Sequence, residues 1–266
     1  MERRQLNKRR KRPYGDVDLD DVVYGIHAVG EALSAGEALK KIHLGEERRS
    51  DAVVRPLLER ARELQIPVRF EHRGFFANFP YKAHQSVIAY SAPFPYVTLE
   101  EAISQRNTEH SALFVVLDHI TDPHNAGAII RTAECAGADA VILPERRAAG
   151  VNGTVRKSAA GAAEHLPVVR VASIADTLRK LKKSGAWAVG ADLGPGAVLH
   201  TEADLARDLA VVIGAEGAGL SEIVRRECDY LVRIPVEGKV ASLNASVAAG
   251  VLLYEALRQR AARQTG

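Results

Sequence analysis

Residues 231–250, LVRIPVEGKVASLNASVAAG, carry the pattern from which the fold of this chain follows. The run begins with an apolar stretch of strand length that ends at Ile234, and it continues through a glycine-bearing loop. The small polar residues Ser242, Asn244 and Ser246 then open a segment rich in alanine, valine and leucine, which is typical of a helix. Free N–H groups at a helix start, with Ser and Asn side chains beside them, can hold a polar ligand. The stretch therefore predicts a binding site at a strand-to-helix junction.

The same alternation of strand and helix extends back to about residue 111. Six runs of strand length are apolar at nearly every position: 112–118, 139–144, 166–171, 186–192, 209–214 and 230–235. Helix-like stretches stand between most of them: 123–137, 153–165, 173–185 and 220–228. Strands that are apolar throughout indicate a parallel sheet covered by helices on both faces, hence an α/β fold. Because ligands bind at the carboxyl ends of such strands, we expect the site at the loops 122–131, 213–221 and 234–244.

Residues 22–91 predict a second, smaller α/β domain. The expected elements are helices over 22–36 and 51–65 and strands over 40–44, 66–70 and 86–91. The run APFPYV, residues 92–97, is the expected linker, because each proline biases the residue before it towards extended geometry. The predicted division is a basic arm over 1–20, the small domain over 21–92, a linker and helix over 93–110, and the large domain over 111–266.

The first twelve residues, MERRQLNKRRKR, carry seven basic side chains and one acidic one. A segment this charged cannot bury an apolar core and is predicted to be a flexible arm. Two interpretations of the arm are open. It either binds the phosphate groups of a nucleic acid, with an affinity that falls as salt rises, or it only keeps the protein in solution.

The composition is that of an ordinary globular protein, and we expect the cytoplasm as its location. No run reaches the roughly 18 apolar residues that a membrane-spanning helix needs, and no secretory signal pattern is present at the N-terminus. The two cysteines, Cys135 and Cys228, fall in predicted helices. We expect both to be buried structural thiols, which fits a reducing compartment.

Two other chemistries fit the loops poorly. The glycines of 213–221 follow the order G-x-x-G-x-G, whereas a dinucleotide site requires G-x-G-x-x-G. His119 and His124, with Asp118 and Asp122 nearby, suggest a metal site. Their spacing matches no helical H-x-x-x-H pair, however, so no metal is expected.

The three loops, in this order, resemble the motifs of the SpoU (TrmH-like) family of RNA ribose 2′-O-methyltransferases, in the SPOUT superfamily. The similarity covers about residues 20–262. Residues 22–33 resemble the L30e-like RNA-binding domain of the bacterial 23S rRNA guanosine-2′-O-methyltransferase branch. The resemblance implies a catalytic domain with a deep trefoil knot, an exception to the rule against knots, and S-adenosylmethionine as the cofactor. Matched position by position, Gly214, Ile234 and Leu243 are the implied cofactor-binding residues.

The resemblance further implies methyl transfer to a ribose 2′-hydroxyl. The matching catalytic positions are Asn125, Arg131, Glu216, Ser242 and Asn244. The family's base is the arginine, yet a guanidinium stays protonated in proteins. We therefore expect Arg131 to hold a phosphate beside the reacting hydroxyl. Glu216 is expected to orient Arg131 or Asn125, or alternatively to close the glycine loop through a local hydrogen bond.

RNA is the implied partner, most specifically a guanosine of 23S rRNA, and a homodimer is expected. The helix pattern over 246–262 offers Leu252, Leu253, Ala256 and Leu257 either to a second copy or to the chain's own sheet. Three alternatives remain open at this point. These are a tRNA methyltransferase, an antibiotic-resistance rRNA methyltransferase, and a catalytically silent RNA-binding protein of ribosome assembly.

Overall fold

The computed structural model divides the chain into two units, between Pro93 and Phe94. The residues that it describes are 22–34, 38–79, 84–240 and 242–264. The predicted basic arm over 1–20 lies outside the described residues. Within the described ranges, no helix is long and apolar enough to cross a membrane.

The first unit is built on a four-stranded sheet. Its elements are, in chain order, β1 (Val22–Tyr24), α1 (Ile26–Ser34), β2 (Leu39–Gly45), a 3₁₀ turn (Glu46–Arg48), α2 (Arg55–Glu63), β3 (Val68–Glu71), α3 (Arg73–Phe76) and β4 (Val87–Ser91). The strand order is β1-β4-β2-β3, in which β2 and β3 are parallel and the other pairs are antiparallel. Apolar side chains of α1 and α2, such as Leu33 and Ala61, pack on Ile42 and Leu44 of β2 to form its core.

The predicted helix over 22–36 was wrong at its beginning, because Val22–Tyr24 form strand β1. Val22 lies opposite Tyr90, and Tyr24 lies opposite Ile88. Gly25 then adopts a φ of 93°, which glycine accepts without strain, and it turns the chain into α1. A strand of three residues exists only through its partner, so the local apolar pattern could not reveal it.

The second unit is built on a seven-stranded sheet. Its elements are α4 (Leu99–Ser104), β5 (Leu113–Asp118), α5 (Pro123–Cys135), β6 (Ala140–Pro144), α6 (Gly153–Ala159), a 3₁₀ turn (Ala162–Glu164), β7 (Val168–Val171), α7 (Ile174–Lys183), β8 (Trp187–Ala191), β9 (Val198–Leu199), β10 (Leu209–Gly214), α8 (Glu222–Glu227), β11 (Tyr230–Arg233) and α9 (Ala245–Gln264). The strand order is β7-β6-β5-β10-β8-β11-β9, and every pair is parallel. The predicted parallel sheet is confirmed.

Helices cover both faces of this sheet, which explains why its strands are apolar at every position. Leu113, Val115 and Leu117 of β5 face the layer that contains α5, α6 and α9. Phe114 and Val116 face the opposite layer, which contains α4, α7 and α8. Each of these five side chains is buried, and burying one of them stabilises the fold by about 1.5–3 kcal/mol.

The segment that follows Pro93 packs as part of the second unit. Phe94 is buried in the core cluster to which α5, α6 and α9 contribute, and the Tyr96 hydroxyl accepts a hydrogen bond of 2.8 Å from the Val151 N–H. Thr98 begins α4 with a capping box, in which its side chain and that of Glu101 bond reciprocally to each other's backbone N–H. These contacts fix residues 94–104 on the sheet of the second unit.

The two cysteines differ in burial. Cys135 is exposed at the end of α5, so the prediction that it is buried was wrong. Cys228 is partly buried, and burial raises the pKa of its thiol to about 12. Because only a thiolate is a strong nucleophile, the Cys228 thiol stays protonated and inert at neutral pH.

A glycine sets the distance between α5 and α6. A Cβ atom on Gly127 would collide with the Ser158 Cβ and would lie 2.6 Å from the Val155 carbonyl oxygen. Neither gap admits a methyl group, so α6 approaches α5 this closely only because residue 127 has no side chain. The same approach holds the His124 ring 3.3 Å from the Ser158 hydroxyl at the start of α5.

We expect Gly127→Ala to destabilise the protein by about 1–3 kcal/mol, the usual cost of overpacking a close contact. Gly250→Ala on α9 is the matched control, since its new Cβ would meet Thr132 at an ordinary 3.7 Å. That control should be neutral or stabilise the helix by up to about 1 kcal/mol. Urea unfolding of both variants measures the difference. Equal stability of the two variants would contradict the close packing of α5 on α6.

Candidate functional site

A cavity of about 290 Å³ opens at the carboxyl ends of β8, β10 and β11. The lining comes from these strand ends and from the start of α9: 191–194, 213–219, 232–234, Val236, Ser242, Leu243, Ala245 and Ala248. Its volume lies near the lower end of small-molecule sites, which span about 300–1,000 Å³. The loops over 213–221 and 234–244, which the sequence singled out, therefore meet at one ligand-sized cavity.

The glycine loop forms one wall of this cavity through backbone atoms. A Cβ atom on Gly214 would overlap the carbonyl carbon of Gly219 and would lie 2.5 Å from the Leu220 nitrogen. Gly217 and Gly219 have φ values of 74° and 68°, in the region that favours glycine. The loop folds back on itself through paired backbone hydrogen bonds between Ala215 and Gly219. Backbone groups are thereby presented to a ligand at close range.

The predicted cofactor-binding residues all line the cavity. Gly214 contributes backbone to the lining, and Ile234 and Leu243 line it from the last loop. The Leu243 side chain is partly exposed, although an isolated apolar side chain of this size is usually buried. The lining thus combines apolar residues and glycine backbone with the polar residues Asp192, Glu216, Arg233 and Ser242, which suits a ligand that has an apolar part and several hydrogen-bonding groups.

A hydrogen-bond network joins the three loops beside the cavity. The Asn125 Nδ2 donates to Glu216 Oε1 over 2.8 Å. The Asn244 Nδ2 donates to the same Glu216 oxygen over 2.5 Å and to Asn125 Oδ1 over 2.9 Å. Glu216 was expected to orient either Arg131 or Asn125, and in the structure it contacts Asn125. One carboxylate oxygen therefore holds two amide side chains in a fixed orientation.

The orientation of the Asn244 amide follows from a second role. Its Oδ1 accepts hydrogen bonds from the N–H and hydroxyl groups of Ser246, at 2.9 and 2.6 Å, and caps the start of α9. Because the oxygen faces these donors, the amide nitrogen must face Glu216 and Asn125. The start of α9 thus determines that the amide nitrogen of Asn244 donates to the network, because its oxygen is used as the helix cap.

Two of the predicted catalytic residues stand outside this network. Arg131 is exposed on α5, and its side chain makes no hydrogen bond or ion pair with another described residue. Ser242 is exposed at the cavity wall. The expected contact between Glu216 and Arg131 is absent from the described part of the chain, so the guanidinium is available to a ligand.

Sequence reasoning missed one wall of the cavity, the loop over 191–194 that follows β8. The Asp192 Oδ1 accepts the Gly194 N–H at 2.6 Å, and its other oxygen lies 3.5 Å from Arg225 Nε. A Cβ on Gly194 would collide with an Arg225 terminal nitrogen. The signal was present, because Ala191–Asp192 end an apolar run as the other site loops do. Within the described residues, no cluster of His, Cys, Asp or Glu fits a metal ion.

Comparison with known proteins agrees with this architecture. The chain matches the SpoU rRNA methylase family over residues 112–254, which is more than half of its length. The chain belongs to the SpoU rRNA methylase family. Residues 22–97 match the family of RNA 2′-O ribose methyltransferase substrate-binding domains. The predicted family and the two-domain α/β fold are confirmed, and the deep trefoil knot stays a prediction.

Relatives of this SpoU chain come from several bacteria. It is 40% identical, over 91% of its length and 96% of the relative's, to a putative TrmH-family tRNA/rRNA methyltransferase of Staphylococcus haemolyticus. It is 43% identical to an uncharacterized tRNA/rRNA methyltransferase of Synechocystis, over 90% of its own length but only 63% of that protein's. The SpoU methyltransferase AviRb of Streptomyces viridochromogenes, solved with AdoMet, has 29% identity and a TM-score of 0.59, over 91% of this chain and 90% of AviRb.

The network predicts a pH-dependent defect in Asn244→Asp. Aspartate caps a helix as well as asparagine does, but it places a second carboxylate against Glu216. We expect the variant to match the wild type in acid, where one carboxyl group is protonated. Its stability should fall by about 1–3 kcal/mol as the pH rises to neutrality and both carboxyl groups ionise.

Thermal unfolding at acidic and neutral pH measures this effect. Asn152→Asp is the matched control, because Asn152 caps α6 by accepting the Val155 N–H at 3.1 Å, and its side chain bonds to no described carboxylate. The control should show no such pH dependence. If the two variants respond to pH in the same way, the contact between Asn244 and Glu216 is refuted.

Proposed function

We propose that this chain transfers a methyl group from S-adenosylmethionine to a ribose 2′-hydroxyl of RNA. The observation that carries the proposal is the Asn125–Glu216–Asn244 network, which lies beside a glycine-lined cavity in a chain of the SpoU family. Such a reaction needs an oriented nucleophile and little covalent help from the protein. An array of fixed amide groups beside a cofactor-sized cavity suits that requirement.

The residues of the cavity fit S-adenosylmethionine. Gly214 and its neighbours would meet the cofactor through backbone groups, and Ile234 and Leu243 would contact its apolar surface. The same cofactor is present in the solved structure of AviRb. When bound, it supplies an electrophilic methyl group. The absence of a dinucleotide fingerprint agrees with a site built mainly from backbone.

Charge and exposure support a proposed role for each of the other residues. Asn125 is buried and fixed by Glu216, so its amide offers a preorganised hydrogen-bonding surface to the ribose. Ser242 and Asn244 border the same space from the last loop. Arg131 is exposed and without a partner among the described residues, so its guanidinium is free to grip an RNA phosphate bidentately. Because it stays protonated, Arg131 lowers the pKa of the nearby hydroxyl, and the proton leaves to phosphate or water.

We propose a guanosine of 23S rRNA as the target and the cytoplasm as the location. The support is the first unit, whose match to substrate-binding domains coincides with the resemblance to the 23S rRNA branch. A tRNA or an antibiotic-resistance rRNA site is the alternative within the same chemistry. A silent RNA-binding protein is disfavoured, because Asn125, Arg131, Glu216, Ser242 and Asn244 are all present.

We expect the protein to transfer labelled methyl groups from S-adenosylmethionine to unmodified 23S rRNA and not to unmodified tRNA, both made by transcription. Arg131→Ala should lower the rate by about 10²–10³-fold while cofactor binding, measured by calorimetry, is unchanged. Arg131→Lys should recover only part of the rate, since an ammonium cannot grip phosphate bidentately. Arg226→Ala, on the exposed side of α8, is the matched control. Cofactor binding without transfer to any RNA would support the silent protein instead.

We further propose a homodimer that forms through a different face of α9 from the one first expected. Leu252, Leu253 and Ala256 are buried in the chain's own core, so they are not available to a partner. The opposite face of α9 presents Val247 and Tyr254, with exposures of 51% and 54%. These two residues are seven apart and so lie on one stripe of the helix, where a second copy would cover them.

We expect the double variant Val247→Asp/Tyr254→Asp to be a folded monomer, because charge on this stripe opposes apolar contact. Size-exclusion chromatography with light scattering gives the mass of each protein. Ile223→Asp on α8 is the control, since Ile223 is a similarly exposed apolar residue (64%) on another face. It should leave the dimer intact. A monomeric wild type would refute the homodimer.

A further inference from the structure

Two loops beside the proposed site are joined to each other. The loop over 119–122 follows β5, and the loop over 145–150 follows β6, its parallel neighbour in the sheet. The Ala149 N–H donates to the Ile120 carbonyl oxygen over 2.8 Å. Asp118, at the end of β5, is in register with Gly214 of β10. Both loops therefore leave the carboxyl ends of their strands, as the glycine loop does at the end of β10. In the sheet, β5 and β6 lie on the side of β10 away from β8 and β11.

The first loop carries an imidazole that is held rigidly. The Asp118 side chain is completely buried, and its Oδ1 lies 2.5 Å from His119 Nδ1. Its Oδ2 accepts the Ser221 N–H at 2.6 Å, which ties it to the start of α8. A buried carboxylate requires such partners, because leaving it unpaired would be very costly. The His119 side chain is nevertheless 39% exposed, so the edge of the ring away from Asp118 faces solvent.

The second loop carries two exposed arginines, Arg146 and Arg147. Neither side chain makes a hydrogen bond or an ion pair with another described residue. Several other exposed arginines of this unit are paired, as Arg179 is with Glu227 and Arg258 with Glu255, whereas Arg131 is not. Neither the Arg146 nor the Arg147 guanidinium is therefore held by a carboxylate of a described residue within ion-pair distance. We call His119, Arg146 and Arg147 the basic rim.

Two members of the basic rim occupy strained backbone positions. His119 has a φ of 61° and Arg147 a φ of 58°, in the left-handed region. That region costs a residue with a side chain about 1–2 kcal/mol, whereas glycine adopts it freely. Among the described residues of the second unit, Ala160 is the other non-glycine residue with positive φ. Basic side chains thus stand where glycine would be more stable, which is typical of functional positions.

We propose that the basic rim binds phosphates of the RNA strand next to the target ribose. This inference rests on the proposed function, because it requires RNA to occupy the site. The rim does not line the cavity, so the cofactor does not account for it. Guanidinium groups match the geometry of phosphate, and most protein–nucleic acid hydrogen bonds go to the backbone. The cofactor would thus lie at the carboxyl ends of β8, β10 and β11, and the RNA would approach at the carboxyl ends of β5 and β6.

Arg147→Gly separates binding from stability. Removal of the side chain relieves the left-handed strain, so thermal stability should be unchanged or higher. Combined with Arg146→Ala, it should weaken binding to unmodified 23S rRNA by on the order of tenfold near physiological salt. The slope of log Kd against log salt should become shallower by about 0.7–0.9 for each phosphate that the variant no longer binds. Filter binding from about 50 to about 200 mM KCl measures both quantities.

His119→Asn tests the third member of the rim. Asparagine accepts the left-handed conformation, and its amide can still donate to Asp118, so the loop should keep its shape. RNA binding should weaken severalfold, while calorimetric affinity for S-adenosylmethionine stays unchanged. Lys183→Ala is the matched charge control. Lys183 is exposed and ends α7 just before β8 begins. It therefore lies near the amino ends of the strands, whereas the rim lies at their carboxyl ends.

The outcomes separate this proposal from the proposed function. If the rim variants bind 23S rRNA with the wild-type affinity and salt slope, the rim proposal is overturned and the methyl-transfer proposal stands. If Lys183→Ala weakens binding equally, the effect is general charge, and the rim proposal is again overturned. If the wild type binds neither 23S rRNA nor a tRNA transcript, both proposals fall. A selective loss on tRNA alone would assign the rim to a tRNA substrate.

Discussion

The carboxylate of Glu216 holds the three loops of the site together. It accepts hydrogen bonds from Asn125, which is 91 residues earlier, and from Asn244, which is 28 residues later. Three loops from separate strand-to-helix junctions are thereby joined beside one cavity. Asn244 also caps α9, so the network is coupled to the start of the last helix. A change at any one of the three side chains leaves a polar group of the other two without its partner.

Two close contacts with backbone, one at Gly214 and one at Gly127, hold the loops of this network in position. Gly214 touches the backbone of Gly219, and Gly127 lets α6 lie against α5, which carries Asn125. At both positions a methyl group would collide with atoms that are themselves packed. The site therefore owes its geometry to the absence of side chains as much as to the polar residues that perform the chemistry. The basic rim is the opposite case, since His119 and Arg147 keep side chains where the backbone favours glycine.

Local pattern predicted most elements of the second unit, because a parallel strand buried on both faces is apolar at every position. Pattern failed where a partner decides the structure. Val22–Tyr24 belong to a strand only because β4 pairs with them. The apolar residues of α9 fit either a dimer or the chain's own sheet, and packing assigned Leu252 and Leu253 to the sheet. The loop over 191–194 also carries Asp192 and Gly194 at the end of an apolar run, but only the folded sheet shows that it lines the same cavity as the other two loops.

The fold class, the family and the loops that carry the site could all be predicted from the amino-acid sequence, because they depend on local apolar runs and on the order of three loop motifs. Which residue Glu216 orients could not be read in this way. In the folded chain it contacts Asn125 and Asn244, whereas the Arg131 side chain has no hydrogen bond or ion pair with another described residue. Nor did any motif indicate that the loops after β5 and β6 meet. Such facts depend on contacts between residues far apart in the chain, and no local pattern encodes the distance between two loops once the sheet brings them together.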